Sequence, residues 1–300
     1  MTTGQPLRIV HLFPDVLRFY GDGGNVGTLV GRAAARSIAT DVVQVPVGAS
    51  RIPPGDLVLI GGGQDREQVT VARELERLGD QLIELVGEGT ALIAVCGGYQ
   101  NLGIRYRTAL GDELPCPGLL PVSTDATAGT RRLVGPVLAE VNPDLVLGGR
   151  RAFTERPVHH GADPASQRTV VGFENHGGRT TLEPGARPFA TIEIGHGNND
   201  LDATEGVLVL PGEGGLRGLR IGTYLHGPLL PRNPHLADAL LAAALAHGAE
   251  PVELAPLEDR LEWTAHDAAC ARLRRSAREE RRIPGWAHRL VDPIRALIGY

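Results

Sequence analysis

A short, continuous apolar run at residues 90–95 places the strongest limit on how this 300-residue chain can fold. It is too short to span a membrane, and its lack of alternation is typical of a central parallel strand covered on both faces. Similar runs at 7–13 and 56–60 alternate with amphipathic helical patterns at 26–38 and 67–86. This alternation predicts an α/β fold with a mostly parallel central sheet and helices on both faces.

The second half of the chain has a different pattern, with many glycines and prolines and little helical periodicity. Strand-like runs occur at residues 170–173, 190–194, 206–210 and 219–224. Because they are separated by turn-rich segments rather than helices, we expect them to be antiparallel strands that extend the sheet.

The same patterns suggest how the chain is divided. Residues 1–250 are predicted to form one domain, with a polar surface insertion at about 140–168 that has no apolar period. Residues 251–300 are predicted to be a C-terminal helical extension, rich in arginine and then weakly amphipathic.

Composition excludes several classes of protein. The net charge of −5 argues against binding to nucleic acid through bulk positive charge. Neither a membrane-spanning run nor a signal-peptide pattern occurs, so a cytoplasmic location is expected. All 30 basic residues are arginine, which excludes Schiff-base chemistry and a P-loop lysine on this chain. The histidines lack a zinc-helix spacing, so no metal site is predicted.

Cys96 directly follows the apolar run and is followed by Gly97, Gly98 and a helical start. A nucleophile between a strand and a helix lies in a sharp turn that requires small neighbours, and the adjacent helix start favours the thiolate. The amide of Gly97 can then stabilise an oxyanion, and a second donor can come from the glycines at 61–63, which include Gly62 and Gly63. The alternative is a buried structural cysteine, the role we expect for Cys116 and Cys270.

A thiolate nucleophile needs a base that can also protonate a leaving amine, and histidine is the usual residue. His226 closes the strand-like run 219–224 and precedes a Gly-Pro pair, which places it where catalytic groups of α/β sheets gather. His176 is the second candidate, and a structural role for His226 is the alternative.

Together these residues resemble class I glutamine amidotransferases of the cobyric acid synthase type. Further segments narrow the resemblance to the glutaminase subunits of lipid II isoglutaminyl synthases. The matching segments follow one another over roughly residues 8–245: YGDGGN at 20–25, GGGQDREQ at 61–68, CGGYQ at 96–100, GFENHGGRT at 172–180, GHGNND at 195–200 and GTYLHGP at 222–228.

The resemblance implies a three-layer amidotransferase fold and a glutaminase in which Cys96 is the nucleophile and His226 the base. It implies that Arg132 binds the α-carboxylate of L-glutamine, which suits a forked guanidinium. It also implies a heterodimer with a MurT-like Mur-ligase subunit. That partner would hold ATP and magnesium, reach the lipid-linked acceptor and amidate D-glutamate of lipid II for peptidoglycan synthesis. No cofactor is expected on this chain.

The sequence departs from typical class I amidotransferases at Pro228, where the family usually has a glutamate two residues after the histidine. Asp22, in the glycine-rich turn after the first strand, is the candidate for a third member of the triad. The alternative is that Asp22 satisfies local amides of its turn, as aspartate often does.

Two other functions stay open at this point. The chain can be an amidotransferase for another acceptor, such as a corrinoid carboxylate, although those enzymes usually carry their ATP-dependent domain on the same polypeptide. It can also be a non-catalytic scaffolding relative that has lost its third acid. Release of glutamate from glutamine separates the scaffold from both enzymes.

Overall fold

The structure is a computed structural model that describes residues 5–17, 21–127, 131–147, 150–151, 168–249 and 252–282. These residues form strands β1 (Leu7–Leu12), β2 (Thr40–Val45), β3 (Leu57–Ile60), β4 (Ala91–Val95), β5 (Arg105–Arg107), β6 (Glu113–Leu114), β7 (Val122–Asp125), β8 (Leu133–Val141), β9 (Val146–Leu147), β10 (Arg150–Arg151), β11 (Thr169–His176), β12 (Arg179–Leu182), β13 (Ala190–Ile194), β14 (Thr204–Glu205), β15 (Val207–Val209) and β16 (Arg220–Thr223). The helices are α1 (Gly23–Ala34), α2 (Asp65–Glu88), α3 (Gly97–Asn101), α4 (Leu229–Arg232), α5 (Pro234–Ala246) and α6 (Arg260–Arg282).

The centre of the molecule is a six-stranded sheet in the order β15-β16-β4-β3-β1-β2. All neighbours in it are parallel except β15, which runs antiparallel to β16 at one edge. The pairings of Ala94 with Ile60 and with Gly222 bring the carboxyl ends of β3, β4 and β16 to the same level. The predicted α/β class with a mostly parallel sheet is confirmed.

The strands of this sheet are buried on both faces, as the uninterrupted apolar runs require. Ile93 of β4 packs with α1 and α5 on one face, and Leu92 and Ala94 pack with α2 and α3 on the other. All five β4 residues are buried, and each large apolar side chain contributes roughly 1.5–3 kcal/mol to folding. The result is a three-layer sandwich.

The expectation that all four later runs extend the central sheet is wrong for two of them. The strands at 207–209 and 220–223 do join it, but β11 and β13 belong to a separate antiparallel sheet in the order β11-β8-β13-β14. The reason is β8, a nine-residue strand that pairs with β11 on one side and β13 on the other. Those two strands therefore satisfy their hydrogen bonds away from the central sheet.

The C-terminal helix α6 packs against this second sheet through Cys270, which contacts Leu138 and Val171. The segment before α6 is held by Asp259, whose carboxylate lies 2.7 Å from Arg32 of α1. Much of the predicted insertion at 140–168, and the tail at 283–300, lie outside the described residues. In the part of the chain that the structure describes, no helix is long and apolar enough to cross a membrane.

Candidate active site

The candidate site lies where β3, β4 and β16 end side by side, because each strand delivers one predicted element of it. Cys96 follows β4, the glycines at 61–63 follow β3, and His226 lies three residues beyond β16. The Cys96 amide donates to the carbonyl of Thr223 at 2.8 Å, and the Gly98 amide donates to the carbonyl of Gly61 at 3.1 Å. The predicted nucleophile, glycine loop and base are thus brought to one edge of the sheet.

Cys96 has a strained backbone of the kind that holds a nucleophile on a sharp turn. Its φ of 49° and ψ of −103° lie in a region that residues with a side chain rarely adopt. The side chain is only 5% exposed. A Cβ at Gly98 would lie 2.9 Å from Ile60, so the residue two positions after Cys96 must be small. Strain retained at one cysteine is typical of a functional site rather than of structural packing.

Gly62 lies next to both Cys96 and His226, and its lack of a side chain leaves room for theirs. A Cβ at Gly62 would lie 2.6 Å from His226 Cε1 and 3.3 Å from Cys96 Cβ. Both side chains therefore contact the same backbone position. Gly62 therefore links the predicted nucleophile and the predicted base geometrically.

His226 is buried and its backbone is fixed by the second sheet. Its amide donates to the Phe173 carbonyl at 2.8 Å, and the Phe173 amide donates back at 3.3 Å. Burial, with a smaller contribution from the charge of His176, lowers the pKa of His226 to about 3. The imidazole is therefore neutral at ordinary pH and has a lone pair with which to accept a proton.

His176, the second candidate for the base, lies behind the site. Its ring stacks on Tyr224 with centroids 3.5 Å apart, and its Nδ1 bonds the Gly178 carbonyl at 2.8 Å. The Tyr224 hydroxyl in turn bonds Thr180 at 2.6 Å and accepts from Gln100 at 3.0 Å. This buried polar layer packs next to the turn of Cys96. The sequence pattern alone does not indicate that Gln100 and Tyr224 lie beside the site.

Asp22 is fully buried, and its Oδ2 accepts the amide of Gly62 at 2.9 Å. Burial raises the pKa of Asp22 to about 7, and the Gly62 hydrogen bond opposes this shift. In the described part of the chain, its hydrogen bonds run to Gly62 and Asn25 and not to His226. Asp22 thus touches the glycine loop, and its role as a third triad member stays a prediction.

Pro228 stands where class I amidotransferases usually have a glutamate, and it packs against the glycine-rich turn. A Cβ at Gly24 would lie 2.9 Å from Pro228 Cγ, so the proline ring packs tightly on the glycine-rich turn. Beside it, Asn25 accepts the amide of Leu230 at 2.8 Å. Position 228 serves to join the segment after His226 to the turn that carries Asp22.

The predicted oxyanion donors lie together at the turn of Cys96. A Cβ at Gly97 would lie 3.1 Å from the amide nitrogen of Gly63, so these two backbones are neighbours. The Gly62 amide already donates to Asp22. The amides of Gly63 and Gly97 are therefore the candidates for binding a developing oxyanion.

Arg132 is exposed at the rim, immediately before β8. Its Nε and Nη2 donate to the side-chain and backbone oxygens of Asn175, both at 3.0 Å. Asn175 precedes His176 in β11, so Arg132 is held against the end of that strand. Its guanidinium keeps further N–H groups for an anionic ligand.

A strained cysteine and a buried histidine thus lie at neighbouring strand ends. The family model of the CobB/CobQ-like glutamine amidotransferase domain matches residues 8–234, so the chain belongs to this class of protein. The chain is 34% identical over 270 residues to the lipid II isoglutaminyl synthase subunit GatD of Staphylococcus aureus, covering 90% of this chain and 97% of that one. It is 29% identical to GatD of Streptococcus pneumoniae, with 80% of each chain covered. The chain belongs to the GatD family.

A more distant similarity links the chain to cobyric acid synthases. It is 30% identical over 194 residues to the enzyme of Geobacillus thermodenitrificans, covering 61% of this chain and 31% of that one. The cobyric acid synthase is therefore much longer, and the similarity covers a minor part of it.

Gly62→Ala is expected to lower kcat for glutamine hydrolysis by about hundredfold, since its Cβ would displace His226 from Cys96. The matched control is Gly27→Ala in α1, where nothing lies within 4 Å of the added Cβ. Steady-state kinetics of both variants, with their unfolding temperatures, check the prediction. Equal activity of the two alanine variants would show that the His226–Cys96 approach does not matter.

Proposed function

We propose that this chain is the glutaminase subunit of a lipid II isoglutaminyl synthase. It hydrolyses L-glutamine to glutamate and ammonia, and a separate ATP-dependent subunit uses the ammonia to amidate D-glutamate in the lipid II stem peptide. The observation that carries the proposal is the contact of both Cys96 and His226 with Gly62 at the strand ends. The match to GatD over 97% of its length supports the acceptor.

The reaction proceeds through a thioester on Cys96. Neutral His226 takes the thiol proton as sulfur attacks the side-chain amide carbon of glutamine, and the amides of Gly63 and Gly97 stabilise the oxyanion. His226 then gives its proton to the leaving nitrogen, and ammonia departs. A water molecule, deprotonated by the same imidazole, attacks the thioester, and glutamate leaves as the proton returns to sulfur.

In this proposal the acceptor chemistry belongs to a second polypeptide. Activating a carboxylate for amidation needs ATP, yet the sequence has no lysine and no P-loop. A MurT-like Mur-ligase subunit that holds ATP and magnesium meets this need. The names of both GatD relatives, which describe a subunit of a synthase, support such a partner.

The test is an assay of the purified chain with and without a co-expressed MurT-like subunit. We expect glutamate release from L-glutamine, and amidated lipid II only when the partner, ATP and magnesium are all present. Amidation of a corrinoid carboxylate instead would favour a cobyric acid synthase-like role. No glutamate release under either condition would favour a scaffolding role.

Arg132→Ala is expected to raise the KM for glutamine about tenfold with a smaller change in kcat, because a contact to the α-carboxylate is made equally in the ground and transition states. Its neighbour Arg131 is also exposed, lies 3.9 Å from Asp200, and provides Arg131→Ala as the matched control. Initial rates over a range of glutamine concentrations separate the two constants. A KM that is the same in both variants would remove Arg132 from the binding site.

A further inference from the structure

Glu205 in β14 carries a buried carboxyl group that the glutaminase chemistry does not use. The side chain is 0% exposed. Its Oε1 accepts both the Thr223 hydroxyl at 2.6 Å and the Tyr224 amide at 2.9 Å. Its Oε2 has no hydrogen-bond partner among the described residues. Burying such a group is costly, so a carboxyl group retained there needs an explanation.

Thr223, which Glu205 holds, bonds the backbone of Cys96 and the backbone next to His226. The carbonyl of Thr223 accepts the amide of Cys96 at 2.8 Å. The hydroxyl of Thr223 accepts the amide of Leu225 at 3.0 Å, one residue before His226. A single carboxylate oxygen therefore fixes the strand end that supports the nucleophile and leads to the base.

The backbone directly after Glu205 is held in place by the side chain of Asn198. The next residue, Gly206, donates its amide to Asn198 Oδ1 at 2.9 Å and accepts from Asn198 Nδ2 at 3.0 Å. Asn198 also accepts the hydroxyl of Tyr99, three residues after Cys96, at 3.2 Å. The GHGNND segment at 195–200 thus connects Glu205 to the helix that begins at the nucleophile.

We propose that Glu205 is a positioning residue of the glutaminase reaction, which sets the Cys96–His226 geometry by holding Thr223 and Tyr224. The inference rests on the proposed function. Glu205 acts through the backbone and touches neither substrate nor imidazole. Burial raises the pKa of Glu205 to about 7, with the bonds from Thr223 and Tyr224 opposing the shift and Glu174 adding to it. Because Thr223 and Tyr224 both donate to Oε1, that acceptor oxygen is the property of Glu205 that matters.

The test compares Glu205→Ala with Glu205→Gln, which keeps one acceptor oxygen in nearly the same volume. We expect Glu205→Ala to lower kcat about 30- to 100-fold with KM within about threefold, because misalignment affects the chemical step. We expect Glu205→Gln to stay within about threefold of wild type. A glutamine analogue with an electrophilic γ-carbon, which alkylates Cys96, should show the same pattern as a lower maximal inactivation rate at unchanged half-saturation.

The matched control is Asp259→Asn, which alters another buried carboxylate. Asp259 is 2% exposed and pairs with Arg32 near the C-terminal end of α1, remote from the strand ends that carry the site. We expect this variant to unfold at a lower temperature but to keep kcat within about twofold. This control separates a fall in kcat caused by lower stability from one caused by misalignment of Cys96 and His226.

Two results would overturn the inference. One is a folded Glu205→Ala with kcat near that of wild type, and the other is a Glu205→Gln as impaired as Glu205→Ala. If Glu205→Ala does not fold, Thr223→Val removes the hydroxyl that donates to Glu205 and accepts the Leu225 amide, while the Tyr224 bond remains, and it must lower kcat about tenfold for the inference to stand. A wild-type chain that neither hydrolyses glutamine nor reacts with the analogue would overturn the proposed function as well. If the wild type is active and Glu205→Ala and Thr223→Val are equally active, only the positioning role is overturned.

Discussion

Cys96→Ala is expected to abolish glutamate release, with kcat falling by at least about 10⁴-fold. The reason is that the proposed thioester forms on this sulfur. Binding of glutamine should persist, because Arg132 and the backbone amides are unchanged. Glutamate release by the complex with its partner, together with glutamine binding by calorimetry, checks both parts of the expectation.

Cys116→Ala is the control, because Cys116 is a half-buried thiol whose pKa is raised by burial to about 11. It should keep wild-type activity. Cys96→Gly adds a second check, since glycine removes both the nucleophile and the backbone strain at φ 49°. It should be more stable than Cys96→Ala by about 1–3 kcal/mol. Substantial glutamate release by either Cys96 variant would show that the nucleophile is elsewhere.

The features that sequence predicted well are local ones. The run at 90–95 specifies a strand buried on both faces, and the small residues around Cys96 specify the turn that follows it. The positions of the glycine loop and of His226 then follow from one rule, that parallel strands bring their carboxyl ends to the same edge. Three short segments far apart in sequence could therefore be assigned to one site.

The features that sequence could not predict depend on distant partners. The strand at 133–141 has an ordinary composition, and only its pairing with two other strands moves those strands out of the central sheet. Likewise Glu205 lies in a short polar–apolar run, and nothing in that run indicates that its carboxyl group is buried against Thr223 and Tyr224. Buried polar contacts of this kind appear only when the backbone is in place.

The absence of a glutamate at position 228 also becomes understandable at this level. Pro228 is committed to packing on the turn at 21–24, and Asn25 is committed to the amide of Leu230. The acid of that turn, Asp22, holds the Gly62 amide instead of His226. In the proposed mechanism, alignment of His226 then depends on its burial and on its backbone bonds to Phe173.

His226→Asn is expected to have opposite effects on activity and on stability in acid. Activity should fall about 10²–10⁴-fold, because no group then takes the thiol proton or protonates the leaving nitrogen. Stability in acid should rise relative to wild type. The pKa of His226 is about 3 in the folded chain, against an ordinary value of 6.5, so between these values the unfolded chain binds a proton that the folded chain does not.

Since the unfolded state binds more protons there, His226 contributes a fall in the free energy of unfolding as pH drops from 6.5 towards 3, whereas the buried carboxyls of Asp22 and Glu205, whose pKa values are raised to about 7, contribute in the opposite direction. At about one pH unit below 6.5 the imidazole contribution is a loss of about 1.4 kcal/mol relative to a variant without it, which His226→Asn should not show. Denaturant unfolding at about pH 5.5 and about pH 8 measures the difference. Cys96→Ala keeps the imidazole and should retain the wild-type pH dependence. If the free energy of unfolding of His226→Asn changed between these two pH values by the same amount as that of Cys96→Ala, His226 would be solvated in the folded chain. A solvated histidine would not be held as a neutral base against Cys96.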